Sequence, residues 1–378
     1  MICQEASHRK GLGTDGVAAA FHRDSEPKGA KTRDGRVASE YPTPTVIYEA
    51  NLLGATSQSE VAIAGSVKMT INYSRNKLLT LSEAASLVHD GDKVAVGGGL
   101  CLREPIAMLR ELARQGKKNL HLMGTAHGFD VDFACGAGLV GAVQETHVSF
   151  EQDFGLALNY RRACESGKVK INENCCNSII QQFRAASYGI PFMPIMSVKG
   201  SEEALLHPEF KKMTCPFTGN ELVLVPALVP DVAIVHAQKA DIHGNLKIEQ
   251  PYVADVLMIR AAKKVIVTAE EIVPEAEMAK IGPTIPYFEV TNVVHVPWGA
   301  HPTSCYPYYV YDREHISHYY KITQEGEEAF KTKYLDKYVY GVKSMDEYIH
   351  LVGGKAKQDR LSSWKQGVEQ WKELYTYE

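Results

Sequence analysis

No stretch of this chain is apolar enough to span a membrane as a helix. The best candidate, residues 222–235, is broken by Pro226, Pro230 and Asp231, well short of the ~18 uninterrupted residues required. Long basic runs are also missing, and the net charge is −4, which argues against nucleic acid as the main partner. No basic start leads into an apolar core, so no secretory signal is read. The eight cysteines include no CxxC pair, which removes the usual zinc-ribbon and thioredoxin-like spacings. Cys175 and Cys176 are adjacent, and a chain of 378 residues does not need disulfide stapling. The expectation is unpaired thiols in a reducing, cytoplasmic setting.

What is present is average for a globular protein: 45% hydrophobic and 23% charged residues. The first part of the chain stands apart. Residues 1–40 mix seven Lys/Arg with six Asp/Glu and show no sustained period. This predicts a disordered extension over 1–76, or a translation start assigned too early, with Met69 as the natural beginning. The extension contains GLGTDG, Gly11–Gly16, a formal GxGxxG. No strand precedes it and no capped helix follows, so the match is rejected.

From Lys77 the pattern turns regular. Thr80-Leu81-Ser82-Glu83 fits a capping box before a helix carrying Ala84, Leu87 and Val88. Lys93–Val96 reads as a short buried strand. Pro105 stands where the first residue of a helix would be, with Ile106, Leu109, Leu112 and Ala113 on one face and Gly116 as its stop. Strand-like and helix-like segments continue to alternate up to TNVVHVP, residues 291–297. That alternation predicts an α/β fold: an open, mainly parallel sheet with helices on both faces over 77–322. Residues 323–378 read as a Tyr-rich helical segment with a second capping box at Ser344–Glu347.

Ligands in such sheets bind at the carboxyl ends of strands, and one such end carries DGDKVAVGGGLCLREP, Asp90–Pro105. A P-loop would need Gly-Lys-Ser/Thr after the glycines, and none follows. A dinucleotide loop would need a third glycine at position 102, which is leucine. The segment instead resembles the opening loop of the family I coenzyme A transferases: an acid and glycine, three apolar residues, Gly97-Gly98, and Pro105 in register. Gly99 stands where that family has an aromatic. Arg103-Glu104-Pro105 resembles its glutaconate-type α subunits. The blocks RRACESGKVKI, AASYGIPFMP, PDVAIVHAQKADIHGN, VTAEEIV and VPWGAHPTSCY extend the resemblance, in order, from Leu79 to about Tyr340.

The resemblance implies an enzyme that moves coenzyme A between an acyl thioester and a free (di)carboxylic acid. It implies a nucleophilic glutamate on a β-type partner chain, and no catalytic residue in this one. No permanent cofactor is implied, since the coenzyme A thioester is the substrate, and no metal. Gly97, Gly98 and Gly99 would offer backbone N–H groups to substrate or thioester. Arg103 would pair with a carboxylate of a diacid, and Gly200-Ser201 would line the same cleft. Two decoys are set aside. Glu165-Ser166-Gly167 copies a nucleophile motif but reads as a helix end, and His315/His318 lack a third metal ligand. Two alternatives remain. One is a thioester or ring-opening hydrolase chain, with its acid near Glu173–Cys176. The other is a non-enzymatic acyl-CoA or sugar-phosphate sensor.

Overall fold

The computed structural model describes residues 75–363. The expected N-terminal extension lies outside them, apart from its last two residues. The chain enters by β1 (Leu78–Leu79), α1 (Leu81–Ser86), β2 (Lys93–Val96), α2 (Ile106–Arg114) and β3 (Leu120–Met123). After β4 (Ala126–His127), α3 (Phe129–Gly136), β5 (Val140–Glu145), β6 (His147–Phe150), α4 (Glu151–Phe154) and β7 (Gly155–Leu156) come α5 (Leu158–Glu165), β8 (Lys170–Glu173) and α6 (Cys176–Ser187). A flap follows: β9 (Phe192–Ile195), α7 (Glu203–Leu206), β10 (Lys211–Thr214) and β11 (Glu221–Pro226). The chain then returns through β12 (Val232–Ala240), β13 (Leu246–Lys247), α8 (Asp255–Ala261), β14 (Lys264–Ile272), α9 (Glu275–Ile281) and β15 (Asn292–His295). The last elements are α10 (Arg313–Gln324), α11 (Glu327–Ala329), a wide helix over Phe330–Tyr340, α12 (Met345–Leu351) and α13 (Gly354–Ser362).

The main sheet runs β1-β15-β14-β12-β2-β3-β5-β8, parallel throughout, with β13 antiparallel on β12. The chain moves outward from β2 to β8, then restarts beside β2 at β12 and moves the other way. The β2/β12 junction is therefore the topological switch point, where open α/β sheets leave a crevice.

Strand alternation splits the core into two layers. Val94, Val96, Val232 and Ile234 face one layer with α2 and α3. Ala95, Ala233 and Val235 face the other, with Ile179 and Phe183 of α6 and Met258 of α8. Tyr319, Phe330, Tyr334 and Tyr348, from the expected C-terminal helical segment and its border, join the first layer. There Tyr319 lies 4.5 Å from the Phe129 ring, centroid to centroid.

Local signals hold where they are backbone chemistry. Thr80 and Glu83 form the reciprocal capping box. Ser344 caps α12, but Glu347 reaches back to the N–H of Lys343 rather than to that of Ser344. Pro105 is the N-cap of α2, one residue earlier than expected. The segment ELVLVP forms β11, yet in the antiparallel flap β10-β11-β9 and not in the main sheet. The flap has a small core of Ile195, Val198, Phe210, Val223 and Val225. It leaves Met196, Leu205, Leu206 and Phe217 exposed, Phe217 by 93%. No disulfide links the cysteines of the described residues, and no described helix is long and apolar enough to cross a membrane.

Candidate functional site

The Gly loop leaves β2 at the switch point. Gly97 donates to the Ile234 carbonyl at 2.9 Å, extending the β2–β12 ladder by one residue. A Cβ there would come within 2.7 Å of both Asp255 Oδ1 and Val235 Cγ1, so only glycine fits. Gly98 (φ +80°) and Gly99 (φ +149°) adopt backbone that side chains rarely take, and a Cβ on Gly99 would meet the Ala126 carbonyl at 2.5 Å. The missing aromatic at 99 is thus a steric requirement of this loop. Leu100, Cys101 and Arg103 follow at φ 48°, 63° and 51°. Such a run of left-handed non-glycine residues persists only where the surroundings over-determine it, and it concentrates at functional sites.

Asp255, the first residue of α8, supplies the over-determination. Its Oδ1 accepts the Gly98 N–H at 3.0 Å and Arg103 Nη1 at 3.1 Å, and its Oδ2 accepts Arg103 Nη2 at 2.9 Å. Arg103 is fully buried and donates further to the carbonyls of Pro251 and His236. Burial works against its charge, and Asp255 more than compensates, leaving the guanidinium more basic than usual.

Two expectations are corrected here. Arg103 does not meet a substrate carboxylate, because its fork is spent on Asp255. The three glycine N–H groups do not face a thioester either: they bond to Ile234, to Asp255 and, for Gly99, to the Leu102 carbonyl at 3.0 Å. The loop is a pinned scaffold with the half-exposed Leu100 at its tip.

Gly200 and Ser201 lie elsewhere on the same edge. They form a turn after β9, where the Ser201 hydroxyl donates to the Val198 carbonyl at 2.9 Å. Asn177 of α6 ties this turn to the end of β8 through Ser197 Oγ, at 2.9 Å. β8 is three strands from β2, roughly 14 Å at the usual strand spacing. The structure therefore does not bring Gly200-Ser201 into contact with the Gly loop.

Two buried histidine–carboxylate clusters flank the loop. On the β12/β14 side, His236 contacts Thr268 Oγ1 at 2.8 Å and Glu270 Oε1 at 2.7 Å. Glu270 also accepts the Tyr309 hydroxyl at 2.6 Å and the Trp298 N–H at 2.7 Å. Every polar atom of this ring has a partner. On the β3/β5 side, His127 Nδ1 bonds Asp130 Oδ2 at 2.5 Å. Asp130 Oδ1 accepts the Gly128 and Val131 N–H groups. Glu104 bridges the Cys101 N–H, at 3.2 Å, and the Asp130 N–H, at 3.1 Å, tying the Gly loop to the start of α3. Here the partners run out: His127 Nε2, both carboxylate oxygens of Glu145 and Thr125 Oγ1 are buried without one.

The charges respond accordingly. Burial raises Glu104 well above the usual carboxylate range, and Asp130 raises it further. Burial pushes Glu145 up to about 8, with His127 acting in the opposite sense. For His127 burial opposes protonation, but Asp130, Glu145 and Glu104 outweigh it and raise the imidazole to about 10.

The decoys are structural. Glu165 ends α5, pairs with Arg161 at 2.7 Å and is 61% exposed, and Gly167 turns the chain at φ 72°. His315 is buried against the Tyr334 hydroxyl at 2.9 Å. Position 176, where a ring-opening acid is expected, holds Cys176 at the start of α6, while Glu173 ends the edge strand β8. Sequence reasoning missed Asp255, Glu145 and the His127–Asp130 pair. The segment GTAHGFD straight after β3 was the available signal for the last of these.

Residues 78–296 match the family model for coenzyme A transferase. One of the two relatives compared is the first-named chain of glutaconate CoA-transferase from Acidaminococcus fermentans. It is 34% identical over 300 residues, 74% of this chain and 92% of that one. The other is the corresponding chain of 3-oxoadipate CoA-transferase from Pseudomonas knackmussii, 34% identical over 278 residues, 72% of this chain and 96% of that one. The crystal structure of glutaconate coenzyme A-transferase from Acidaminococcus fermentans superposes with a TM-score of 0.71 at 32% identity, covering 75% of this chain and 95% of that one.

Proposed function

The chain belongs to the coenzyme A transferase family, and from that premise we propose that it is the α-type half of an enzyme moving coenzyme A between an acyl-CoA and a free carboxylic acid. The nucleophilic glutamate sits on a β-type partner chain. The observation that carries this reading is the carboxyl edge itself. A pinned Gly loop stands at the switch point, and the acids beside it, Glu104, Asp130, Glu145, Asp255 and Glu270, are all buried. A nucleophile must reach the thioester carbonyl, so the attacking carboxylate comes from outside this chain. The exposed apolar side chains of the flap support a partner, since isolated chains rarely leave such residues grouped.

In this reading the half-exposed tip at Leu100, the loop scaffold of Gly97–Gly99 and Arg103, and the Gly200-Ser201 turn form one wall of a shared cleft. Roughly 14 Å separates its two ends, a span that an extended thioester substrate bridges. Arg103 acts through the loop it holds, and substrate charge is read by other groups. The ring-opening alternative lacks its acid at Cys176, and the flap and pinned loop give a pure sensor no advantage.

Co-expression with a β-type chain, followed by an assay with acyl-CoA plus a free acid, tests the proposal. A new acyl-CoA is expected only when both chains are present. Loss of thioester without a new acyl-CoA, or full activity of this chain alone, overturns it.

A further inference from the structure

The β3/β5 cluster has the features of a ligand site with its ligand left out. His127 Nε2 and the Glu145 carboxylate are buried and unpartnered, and both converge on the same point above Gly124. A Cβ at position 124 would overlap both atoms, so the glycine keeps that point open. Thr125 Oγ1, also buried and unpartnered, belongs to the next residue. The other ring nitrogen of His127 is fixed by Asp130 at 2.5 Å. A carboxylate on the far nitrogen of an imidazole is the arrangement that orients histidine as a metal ligand. Donor atoms of Glu104, His127 and Asp130 lie within 4.8 Å of one another. No lysine or arginine pairs with Glu104, Asp130 or Glu145 among the described residues, because the nearby Arg103 is committed to Asp255.

We propose that His127 Nε2 and the Glu145 carboxylate hold a divalent transition-metal ion at the carboxyl ends of β3 and β5, with Asp130 orienting the imidazole. One imidazole nitrogen with carboxylate oxygens and no thiolate suits zinc or manganese. The ion offsets the excess of buried acid. Through Glu104, which accepts from Cys101 and Asp130, it is coupled to the geometry of the Gly loop. The remaining coordination positions go to Thr125 Oγ1 or water. The proposal stands apart from the coenzyme A reading, since its readout is metal and not turnover.

The full chain, stripped with a chelator and dialysed against Zn2+ or Mn2+, is assayed by elemental analysis and titration calorimetry. About one equivalent is expected to remain. His127→Gln and Glu145→Gln should each weaken binding at least tenfold, and Asp130→Asn by about 10- to 100-fold. Glu165→Gln should bind as wild type does. Co2+ loaded into the wild-type chain reads the ligands directly, without any variant having to fold. Ligand-field bands with no thiolate charge-transfer band are expected. Retention of no metal by the wild-type chain overturns the proposal. So does unchanged affinity in a folded Glu145→Gln variant, or a thiolate band, which would direct the metal to the cluster containing Cys305.

Discussion

The two histidine–carboxylate clusters sit on the same edge of the same sheet, a few strands apart, and differ in one respect. Around His236 every donor and acceptor is matched inside the chain: Thr268, Glu270, Tyr309 and the Trp298 N–H close the ring. Around His127 the matching stops at Asp130, and Glu145 is left bare. A buried polar group without a partner costs more than a partnered one contributes. A closed ring is therefore a fastener, while an open one persists where something else completes it. The Arg103–Asp255 pair between them belongs with the closed kind.

The sharpest way to break the comparison is at that pair. Asp255→Ala leaves Arg103 buried without a counter-charge and should cost about 3–5 kcal/mol. The loss would be read from urea unfolding, with transfer activity falling as the loop relaxes. Next comes the contrast between the two glutamates. Glu270→Gln disturbs three donors and should cost about 2–3 kcal/mol. Glu145→Gln removes no hydrogen bond and should cost less than about 1 kcal/mol in metal-free protein. Equal losses would erase the distinction between closed and open.

A pH series gives an effect of intermediate size. His127 rises from 6.5 to about 10 and Glu145 from 4.5 to about 8, so the folded chain binds more protons than the unfolded one across that window. The His127 contribution is complete below pH 6.5 and fades as pH climbs through 10. The Glu145 penalty grows as pH climbs from 4.5 through 8. Both make metal-free protein less stable at about pH 9 than at about pH 6.5, and Glu145→Gln should shrink that difference. The smallest effect is expected at the decoy. Glu165→Gln breaks an exposed pair with Arg161, should stay within about 0.5 kcal/mol, and should leave transfer activity of the two-chain enzyme unchanged.

Much of the fold is legible in the sequence because its signals are local. A capping box spans four residues, and the alternation at 93–96 and 232–235 is set by the strand period alone. The stop at Gly167 follows from one left-handed residue. The flap was less legible: ELVLVP has strand chemistry, but the sheet it joins depends on pairings with Met193 and Leu222–Leu224 that no window contains. The same holds for the missed helix α3, whose eight residues are nearly all buried and so show no polar face.

For the site, the sequence by itself determined where the backbone would turn. Three glycines follow a buried strand, and their missing Cβ atoms are what the packing against Asp255, Val235 and Ala126 demands. Which polar atoms would be spent and which left over was decided only by tertiary structure. Gly98, Arg103 and Asp255 are brought together from positions 157 residues apart at their widest, and His127 and Glu145 from neighbouring strands. Whether a buried donor is satisfied depends on ångström-scale placement across such distances. That is why Arg103 could be recognised from its neighbours in the chain, but its partner could not.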